Sequence, residues 1–222
     1  YDGLGGHANG VRECNVNVTR IQRVQNPKLW RKFITRENEV KEANGGQSNR
    51  QRLFHGADPG TLGIVISQGF DDRVANMSGA MGAGTYYAKF SSYSMAYSQM
   101  AAHSREVQRG SHSANSMRYP SLVRFTPGAI VPPPAAVSER RQSFNAPQIA
   151  VQNGEFAMAL CEVQLGNVGA NMGRPSMRRP PDGYHSVSQA AGTQQHIFAT
   201  FAEAQGYPSH LLFFRKAGRA TY

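Results

Sequence analysis

The sequence predicts an α+β fold in which strands outnumber helices. Helical spacing of apolar residues is found in a few segments of the first half of the chain, whereas strand-like apolar patterns recur from Val16 to Arg215. The chain has 222 residues, of which 40% are hydrophobic, so it can bury one sizeable core without depending on disulfides or metals. A single domain of ordinary size is therefore expected.

The first part of the chain alternates strands and helices. Residues 1–15 show no periodic pattern and are interpreted as a tail or linker. Apolar and polar residues then alternate over Val16–Ile21, which predicts a half-buried strand. Asn26 followed by Pro27 is typical of a helix start, and the helix is expected to end at the Asn-Gly-Gly sequence 44–46.

A second strand and helix follow, and then a loop. Arg52–Gly56 is interpreted as a short strand that ends in glycine, and Thr61–Gln68 as a short helix with one apolar face. The segment 69–84 is rich in glycine and alanine and is predicted to be a loop. Thr85–Ala88 is strand-like, and tyrosine and methionine at helical spacing predict a helix over 91–102.

The second half begins with a long polar region, 103–155, that contains arginines and a run of three prolines. We interpret 103–119 and 132–154 as loops and Leu122–Phe125 as a strand. The whole region is expected to be a basic, proline-containing insertion within one domain that covers 16–222. Three strands are predicted after it: Phe156–Leu165, His196–Phe201 and His210–Arg215, the last two joined by 202–209.

Basic residues outnumber acidic ones. Lysine plus arginine number 24 and aspartate plus glutamate 14, which leaves a formal net charge of +10. Such an excess favours an anionic partner, and the candidates are nucleic acid, acidic protein segments or a phosphate-bearing small molecule. The alternative is a solvated basic surface without a partner, which the helical alternation of basic and apolar residues between Arg23 and Arg36 favours for the N-terminal block.

The two cysteines and the hydropathy pattern bear on location. Cys14 and Cys161 lie far apart and provide neither a disulfide framework nor a zinc site, so unpaired thiols in a reducing compartment are expected. No apolar run approaches the ~20 residues of a membrane-spanning helix. We therefore expect an intracellular protein of the nucleus or cytoplasm with no membrane partner. Because the first residue is Tyr1, we also expect a fragment of a longer protein.

Four short segments stand out because their residues suit the binding of a flat, amide-bearing ring. They are Leu53 to Gly56, Gly82 to Ala88, Ser91 to Tyr97, and Pro180 to Val187. His55 at a strand end, followed by Gly56, places an imidazole beside backbone groups that a ligand can approach closely, since glycine has no Cβ. Tyr86 and Tyr97 can sandwich a flat heteroaromatic ring, while the Ser94 hydroxyl bonds its exocyclic amide. Together these residues predict a carboxamide slot suited to nicotinamide.

The order and spacing of these segments resemble the catalytic domain of the poly(ADP-ribose) polymerase family, the diphtheria-toxin-like ADP-ribosyltransferases. The resemblance extends from about Val18 to Phe214, and the segment 69–84 is most similar to the corresponding loop of tankyrases. It implies an ADP-ribosyltransferase fold, with two mostly antiparallel sheets around an NAD-binding cleft and flanking helices. It also implies a monomeric catalytic domain that uses NAD as co-substrate.

The site residues of that family can be carried over onto matching positions. His55 matches the histidine that holds the adenosine ribose of NAD, and Gly56 matches the glycine whose backbone binds the nicotinamide amide. Tyr86 matches the second member of the family's His-Tyr-Glu set. Ser94 matches the amide-binding serine, and Tyr97 matches the tyrosine stacked on the nicotinamide.

The loop and the insertion carry further implications. Residues 70–83 match the loop that covers the donor site, and within it Arg73 is a candidate partner of the NAD diphosphate. Tankyrases carry a zinc-binding insertion, whereas the corresponding region 103–155 has no cysteine here. No metal is therefore expected.

The third member of the His-Tyr-Glu set departs from the family pattern. Counting back from Gln205–Pro208, which resembles a family element before the last strand, the glutamate position falls on Ile197. In polymerising members that glutamate stabilises the oxocarbenium-like transition state and helps to activate an incoming ribose hydroxyl, and isoleucine can do neither. The set His55, Tyr86 and Ile197 resembles that of mono-ADP-ribosylating members, for which an acceptor carboxylate is thought to provide the missing charge. Glu203 in the following loop is interpreted as a solvated charge.

The leading hypothesis is therefore an enzyme that transfers one ADP-ribose from NAD to a protein side chain and releases nicotinamide. Two alternatives stay open. The first is a catalytically silent module that binds NAD or ADP-ribose, which Ile197 and the sequence Thr85-Tyr86-Tyr87 favour and which the retained His55 argues against. The second is a nucleic-acid acceptor that docks on the region Arg105–Arg141, although that region lacks the interleaved aromatic residues of a base-stacking surface.

Overall fold

The computed structural model describes residues 16–71, 79–98, 146–191 and 194–216. Residues 91–98 within these ranges are helical. The other elements are, in chain order, β1 (Val16–Arg23), α1 (Pro27–Ala43), β2 (Arg50–Gly56), α2 (Pro59–Gln68), β3 (Thr85–Ala88), β4 (Phe156–Gln164), β5 (Val168–Ala170), β6 (Ser186–Ala191), β7 (Gln194–Thr200) and β8 (Gly206–Lys216). The predicted α+β class is confirmed.

The strands form one eight-stranded sheet in the order β1-β8-β4-β2-β3-β7-β6-β5. Neighbouring strands are antiparallel, except that β5 and β6 are parallel. The two halves of the sheet meet between β2 and β3, where the register pairs Phe54 with Ala88. The expected two-part antiparallel arrangement is therefore present as two halves of a continuous sheet, joined at this junction.

Most of the predicted elements are found, with small shifts at their ends. Helix α2 begins at Pro59 rather than Thr61, because the Asp58 side chain accepts hydrogen bonds from the backbone amides of Gly60 and Thr61 and caps the helix. The predicted connection over 202–209 is shorter than expected, since β8 already begins at Gly206.

One prediction about a strand was wrong, and two strands were missed. Val16–Ile21 was expected to be half-buried, but β1 lies at the edge of the sheet, and Val18 and Ile21 are 57% and 62% exposed. An irregularity between Val18 and Arg20 also interrupts the alternation on which the prediction relied. Strands β5 and β6 were not predicted at all, because β5 is three residues long and the Ser-Val-Ser-Gln-Ala-Ala sequence of β6 lacks an apolar run.

Several predictions fall on residues outside the described ranges. They concern the tail 1–15, the loop and strand within 103–145, the thiol of Cys14 and the end of the helix after residue 98. The domain boundaries at 15 and 16 stay a prediction. Cys161 is a buried free thiol, as expected, and none of the described helices is long and apolar enough to cross a membrane.

Helix α1 follows from its cap and its apolar face. The Asn26 side chain accepts a hydrogen bond of 3.2 Å from the Leu29 amide, and Pro27 occupies the first turn. Leu29 and Phe33 are buried one turn apart and pack with Tyr207 of β8. The helix therefore covers one face of the sheet near β8.

The main core lies between the sheet and α2. It combines buried residues of β2, α2, β3, β4, β7 and β8, so the sheet halves on either side of the junction share it: Leu53, Leu62, Val65, Phe70, Tyr87, Ala157, Ala159, Cys161, Val163, Leu165, Phe198, Leu211 and Phe213. Each large apolar side chain removed from water in this way contributes about 1.5–3 kcal/mol. This shared core holds β2 and β3 together although their strand pairing is short.

A buried glutamine connects three segments around the end of β7. The Gln205 side chain accepts hydrogen bonds from the amides of Phe201 and Ala202, at 3.3 and 3.0 Å. It donates to the carbonyl oxygens of Gln164 and His185, at 3.1 and 3.0 Å. Gln205 is 1% exposed, so these backbone groups have little access to water as an alternative partner.

We expect Gln205→Ala to lower the free energy of unfolding by about 2–4 kcal/mol, because four hydrogen bonds are lost and buried backbone groups are left unpaired. Chemical denaturation of the two proteins measures the difference. The matched control is Gln22→Ala on β1, where the glutamine is exposed, and its stability should stay within about 0.5 kcal/mol of the starting protein. An equal effect of the two substitutions would contradict the role assigned to Gln205.

Candidate active site

The candidate site lies where the two halves of the sheet part. Beyond the pair formed by Phe54 and Ala88, β2 continues to Gly56 without a further partner residue on β3. His55 bridges this gap, since its Nδ1 lies 2.9 Å from the Tyr86 carbonyl oxygen. A carbonyl oxygen can only accept, so Nδ1 carries the hydrogen and Nε2 keeps a lone pair with which it can accept a hydrogen bond from a ligand.

Aromatic rings surround the His55 imidazole. Its ring centroid lies 5.0 Å from that of Phe70, edge to face, and 5.9 Å from that of Tyr87. Burial lowers the pKa of His55, an effect that the hydrogen bond to the Tyr86 carbonyl partly opposes. The lowered pKa of His55 favours the neutral imidazole, which is the form in which Nε2 accepts.

Gly56 lies directly against the 91–98 helix. A Cβ added to Gly56 would lie 1.8 Å from the Ser94 carbonyl oxygen and 2.6 Å from the Ser94 carbonyl carbon. These are backbone atoms, which cannot rotate away as a side chain can. Glycine at this position is therefore what allows the helix to approach the end of β2.

The 91–98 helix brings a serine and two tyrosines to the end of β2. Ser94 is 2% exposed, and its hydroxyl has no hydrogen bond within the described residues. Tyr97 is partly buried one turn further on, and its hydroxyl oxygen lies 2.8 Å from that of Tyr93. Sequence reasoning did not assign Tyr93 to the site, although its spacing of four residues from Tyr97 on a helix indicates that they are neighbours.

The Tyr86 hydroxyl is bound to the end of the preceding loop. It accepts a hydrogen bond of 2.8 Å from the Met81 amide and donates one of 2.8 Å to the Gly82 carbonyl. Burial is the main cause that raises the pKa of Tyr86 to about 12, so the hydroxyl keeps its proton. Gly79 is packed close to it, since an added Cβ there would lie 2.3 Å from the Tyr86 oxygen. Tyr86 thus fixes the segment 79–82 at the edge of the site.

Ile197 lies on β7, next to β3, where its partner in the register is Ala88. It is 8% exposed and belongs to an apolar cluster with Met81, Val187, Ala199 and Phe201, against which Tyr86 and Tyr93 also pack. None of these side chains carries a carboxylate. An isoleucine held in this cluster can contribute packing to the site but neither a charge nor a proton acceptor.

Glu203 does not replace the missing carboxylate. Its Oε1 lies 2.6 Å from the Lys32 Nζ of α1, and its side chain is 58% exposed. This agrees with its interpretation as a solvated loop charge. Exposed ion pairs of this kind contribute about 0–1 kcal/mol to stability.

The structure thus brings five of the predicted site residues to the parting of β2 and β3, and Ile197 lies on the neighbouring strand: the five are His55, Gly56, Tyr86, Ser94 and Tyr97. The remaining predicted residue, Arg73, lies outside the described ranges. Among the described residues, no three histidine, cysteine or acidic side chains come together in a way that could hold a metal ion.

The arrangement can bind an amide-bearing ring joined to a hydroxyl-bearing sugar. The backbone of Gly56, the Ser94 hydroxyl and the Tyr97 ring provide hydrogen bonds and a stacking surface. Nε2 of His55 provides an acceptor for a sugar hydroxyl. These groups are of the kinds that the predicted carboxamide slot requires, and their assignment to it stays a prediction.

Comparison with known proteins points to one family. The model of the poly(ADP-ribose) polymerase catalytic domain matches residues 4–210 of the chain. Human protein mono-ADP-ribosyltransferase PARP14 is 35% identical over 92 residues, which are 40% of this chain and 5% of the relative. Mouse protein mono-ADP-ribosyltransferase PARP12 is 34% identical over 89 residues, 39% of this chain and 12% of the relative. Mouse protein mono-ADP-ribosyltransferase PARP11 is 38% identical over 79 residues, 35% of this chain and 24% of the relative. The matched stretches thus span a quarter or less of these relatives.

We expect Gly56→Ala to weaken binding at the carboxamide slot, because the new methyl group overlaps the Ser94 carbonyl and pushes the helix from β2. Calorimetry with benzamide, an aromatic ring that carries a carboxamide, should show at least a ~10-fold weaker affinity, equal to about 1.4 kcal/mol. The control is Gly60→Ala, an exposed glycine in the first turn of α2, which should bind benzamide as the starting protein does. Normal binding by Gly56→Ala would show that the helix does not pack as described.

The lowered pKa of His55 predicts that both stability and ADP-ribose affinity fall at acid pH. The folded protein binds the His55 proton less tightly than the unfolded chain does. The free energy of unfolding therefore falls as the pH drops below 6.5, whereas His55 does not change it at higher pH. Protonation also removes the Nε2 acceptor. We therefore expect the affinity for ADP-ribose to fall on the acid side, with a midpoint below 6.5, while benzamide binding changes less. Nuclear magnetic resonance of the His55 ring gives the midpoint directly, and a value above 6.5 would contradict the assignment.

Proposed function

The chain belongs to the poly(ADP-ribose) polymerase catalytic-domain family, and on that premise we propose that it transfers a single ADP-ribose unit from NAD to an acceptor and releases nicotinamide. The observation that carries the proposal is the conjunction of His55, Gly56 and Ser94 at the parting of the sheet with an isoleucine on the adjacent strand. The first three residues suit the donor NAD, and the isoleucine provides no group for chain elongation.

The residues of this chain have separate tasks in holding NAD. Nε2 of His55 accepts a hydrogen bond from a hydroxyl of the adenosine ribose, since Nδ1 is committed to the Tyr86 carbonyl. The backbone of Gly56 and the hydroxyl of Ser94 bind the carboxamide of nicotinamide, and the Tyr97 ring stacks on its pyridine ring. These groups fix the leaving group and the ribose relative to each other before the reaction.

The reaction is a displacement at the first carbon of the nicotinamide ribose. The bond between that carbon and the ring nitrogen breaks, and nicotinamide leaves with the electron pair and becomes neutral. The ribose carbon develops oxocarbenium character, and an acceptor oxygen or nitrogen forms the new bond and gives up its proton. Holding the carboxamide and stacking the ring favour the geometry in which this bond can break.

Transfer is proposed to stop after one unit because of Ile197. Adding a second ADP-ribose requires a group that activates a ribose hydroxyl of the first, and the apolar cluster around Ile197 contains no carboxylate. The similarity to three relatives named as mono-ADP-ribosyltransferases supports the same conclusion.

We propose a protein side chain as the acceptor. The excess of basic over acidic residues, +10 in formal charge, suits a partner with acidic segments. The arginines between Arg105 and Arg141, which favour a nucleic-acid acceptor, lie outside the described residues. We also propose that the domain acts as a monomer and that it lies inside the cell, in the nucleus or cytoplasm. The unpaired buried thiol of Cys161 supports the intracellular location.

A second candidate function is a silent module that binds NAD or ADP-ribose without turnover. Ile197 is the observation that favours it, because the apolar cluster supplies no charge to stabilise the transition state. His55, in its neutral accepting form, is needed equally for binding in the module and for transfer in the enzyme. Turnover, rather than binding, therefore separates the two functions.

We expect the chain to attach single ADP-ribose units when it is incubated with labelled NAD. Intact-protein mass spectrometry should show mass increases that correspond to separate single units, and nicotinamide should be released in equal amount. His55→Ala should reduce labelling by about 100-fold or more, because the donor loses a ligand and the strand bridge is lost. Long chains would contradict transfer of single units, and binding without nicotinamide release would favour the silent module.

We expect Ile197→Val to keep transfer activity within about threefold and to cost about 1 kcal/mol of stability, because it removes one methylene from a packed cluster. Ile197→Asn should cost about 2–4 kcal/mol, since it leaves an unpaired amide among apolar side chains. Thermal unfolding and the labelling assay measure the two effects. Loss of transfer by the valine variant, with its fold intact, would show that Ile197 does more than fill space.

A further inference from the structure

Two tyrosines of the 91–98 helix form a hydrogen-bonded pair beside the donor site. The hydroxyl oxygens of Tyr93 and Tyr97 are 2.8 Å apart, and their ring centroids are separated by 5.3 Å with planes tilted by 50°. The two residues are four apart, so they lie on one face of the helix. Each hydroxyl thus has its neighbour as a fixed partner.

Tyr93 is the better anchored of the two. Its ring packs against the apolar cluster that contains Met81 from the loop end, Ile197 from β7 and Phe201 directly after β7. The same cluster holds the ring of Tyr86, whose hydroxyl is bound to the Met81 amide. Tyr93 is therefore attached to the half of the sheet that carries β7.

Tyr97 depends on that anchor for its orientation. It is partly buried but is not a member of a described apolar cluster, and its hydrogen bond to Tyr93 is the one bond of its hydroxyl within the described residues. A tyrosine side chain turns about two bonds, so a hydrogen bond at the far end of the ring limits both rotations.

We propose that Tyr93 is a positioning residue, which holds the Tyr97 ring through the hydroxyl pair in the orientation that stacks on the nicotinamide ring. The inference rests on the proposed function, because it takes nicotinamide as the ring that Tyr97 meets. Tyr93 itself need not touch NAD. Its effect on binding passes through Tyr97 and is confined to the nicotinamide end of the site.

Burial raises the pKa of both tyrosines, and it is the largest cause for each. Both hydroxyls accordingly keep their protons at neutral pH. One of the two donates and the other accepts, so removal of either hydroxyl breaks the same bond. This equivalence makes the inference testable by a double-mutant cycle.

The test compares Tyr93→Phe, Tyr97→Phe and the double variant, all in the complete chain, by calorimetry with two probes. Benzamide reports on the nicotinamide end, and ADP-ribose, which lacks nicotinamide, reports on the rest of the site. We expect each single substitution to weaken benzamide binding by about 3- to 10-fold, the range expected for one hydrogen bond. The double variant should lose no more than a single one, and ADP-ribose affinity should change by less than about twofold.

The outcomes that overturn the inference are specific. Unchanged benzamide affinity in Tyr93→Phe, or additive losses in the double variant, would show that the hydroxyl pair does not position Tyr97. Equal losses for benzamide and ADP-ribose would show that Tyr93 supports the whole site rather than one ring. The control is Thr35→Val on α1, which removes an exposed hydroxyl and its hydrogen bond to the Arg31 carbonyl oxygen and should leave both affinities unchanged.

The experiment also distinguishes an error in the proposed function from an error in the role of Tyr93. If the starting protein binds neither NAD nor ADP-ribose, the proposed function is wrong and the inference falls with it. If the starting protein binds NAD and releases nicotinamide while Tyr93→Phe binds benzamide normally, the inference alone is wrong. For active protein, Tyr93→Phe should raise KM for NAD by about 3- to 10-fold with a smaller change in kcat, as expected for a contact made equally in the ground state and the transition state.

Discussion

The architecture of the site depends on the place where β2 and β3 stop pairing. The two strands share the register pair of Phe54 and Ala88 and then part, and the side chain of His55 bonds to the Tyr86 carbonyl across the opening. One hydrogen bond of about 1 kcal/mol could not hold two halves of a sheet together. The shared core beneath them, with Leu53 from β2, Tyr87 from β3 and Phe198 from β7, does so. The imidazole can then serve as a bridge on one nitrogen and as an acceptor on the other.

The parting of the strands also determines where the next helix lies. β3 is followed after two residues by the 91–98 helix, and the end of β2 carries Gly56, whose missing side chain leaves room for the Ser94 backbone. The helix follows β3 in the sequence but lies against the end of β2. Ser94 and Tyr97 come to the candidate site from this helix, while His55 comes to it from β2, so the candidate site is assembled from both halves of the sheet.

The apolar cluster around Ile197 contains the position of the missing glutamate and also packs against the tyrosines of the site. It receives Met81 from the loop end, Ile197 from β7 and the rings of Tyr86 and Tyr93. A charged residue at position 197 would need a partner inside this cluster, because burial of an unpaired charge costs several kcal/mol. The absence of a carboxylate thus agrees with the packing around it as well as with transfer of a single unit. A part of the basic charge has acidic partners, since Arg50 and Arg52 both pair with Glu162 on β4.

The sequence by itself determined the class of fold and most of the strands and helices. It also identified His55, Gly56, Ser94 and Tyr97 as candidate site residues, because each of these is encoded by a local pattern or a short motif. It could not indicate β6, where the buried Ser186 hydroxyl donates to the Leu165 carbonyl oxygen of a distant segment, nor the exposure of β1 at the sheet edge. Tyr93 was missed for a related reason. Its role depends on the apolar cluster that β7 brings against it, and contacts between segments so far apart in the chain are decided by strand pairing and core packing, which only the tertiary structure shows.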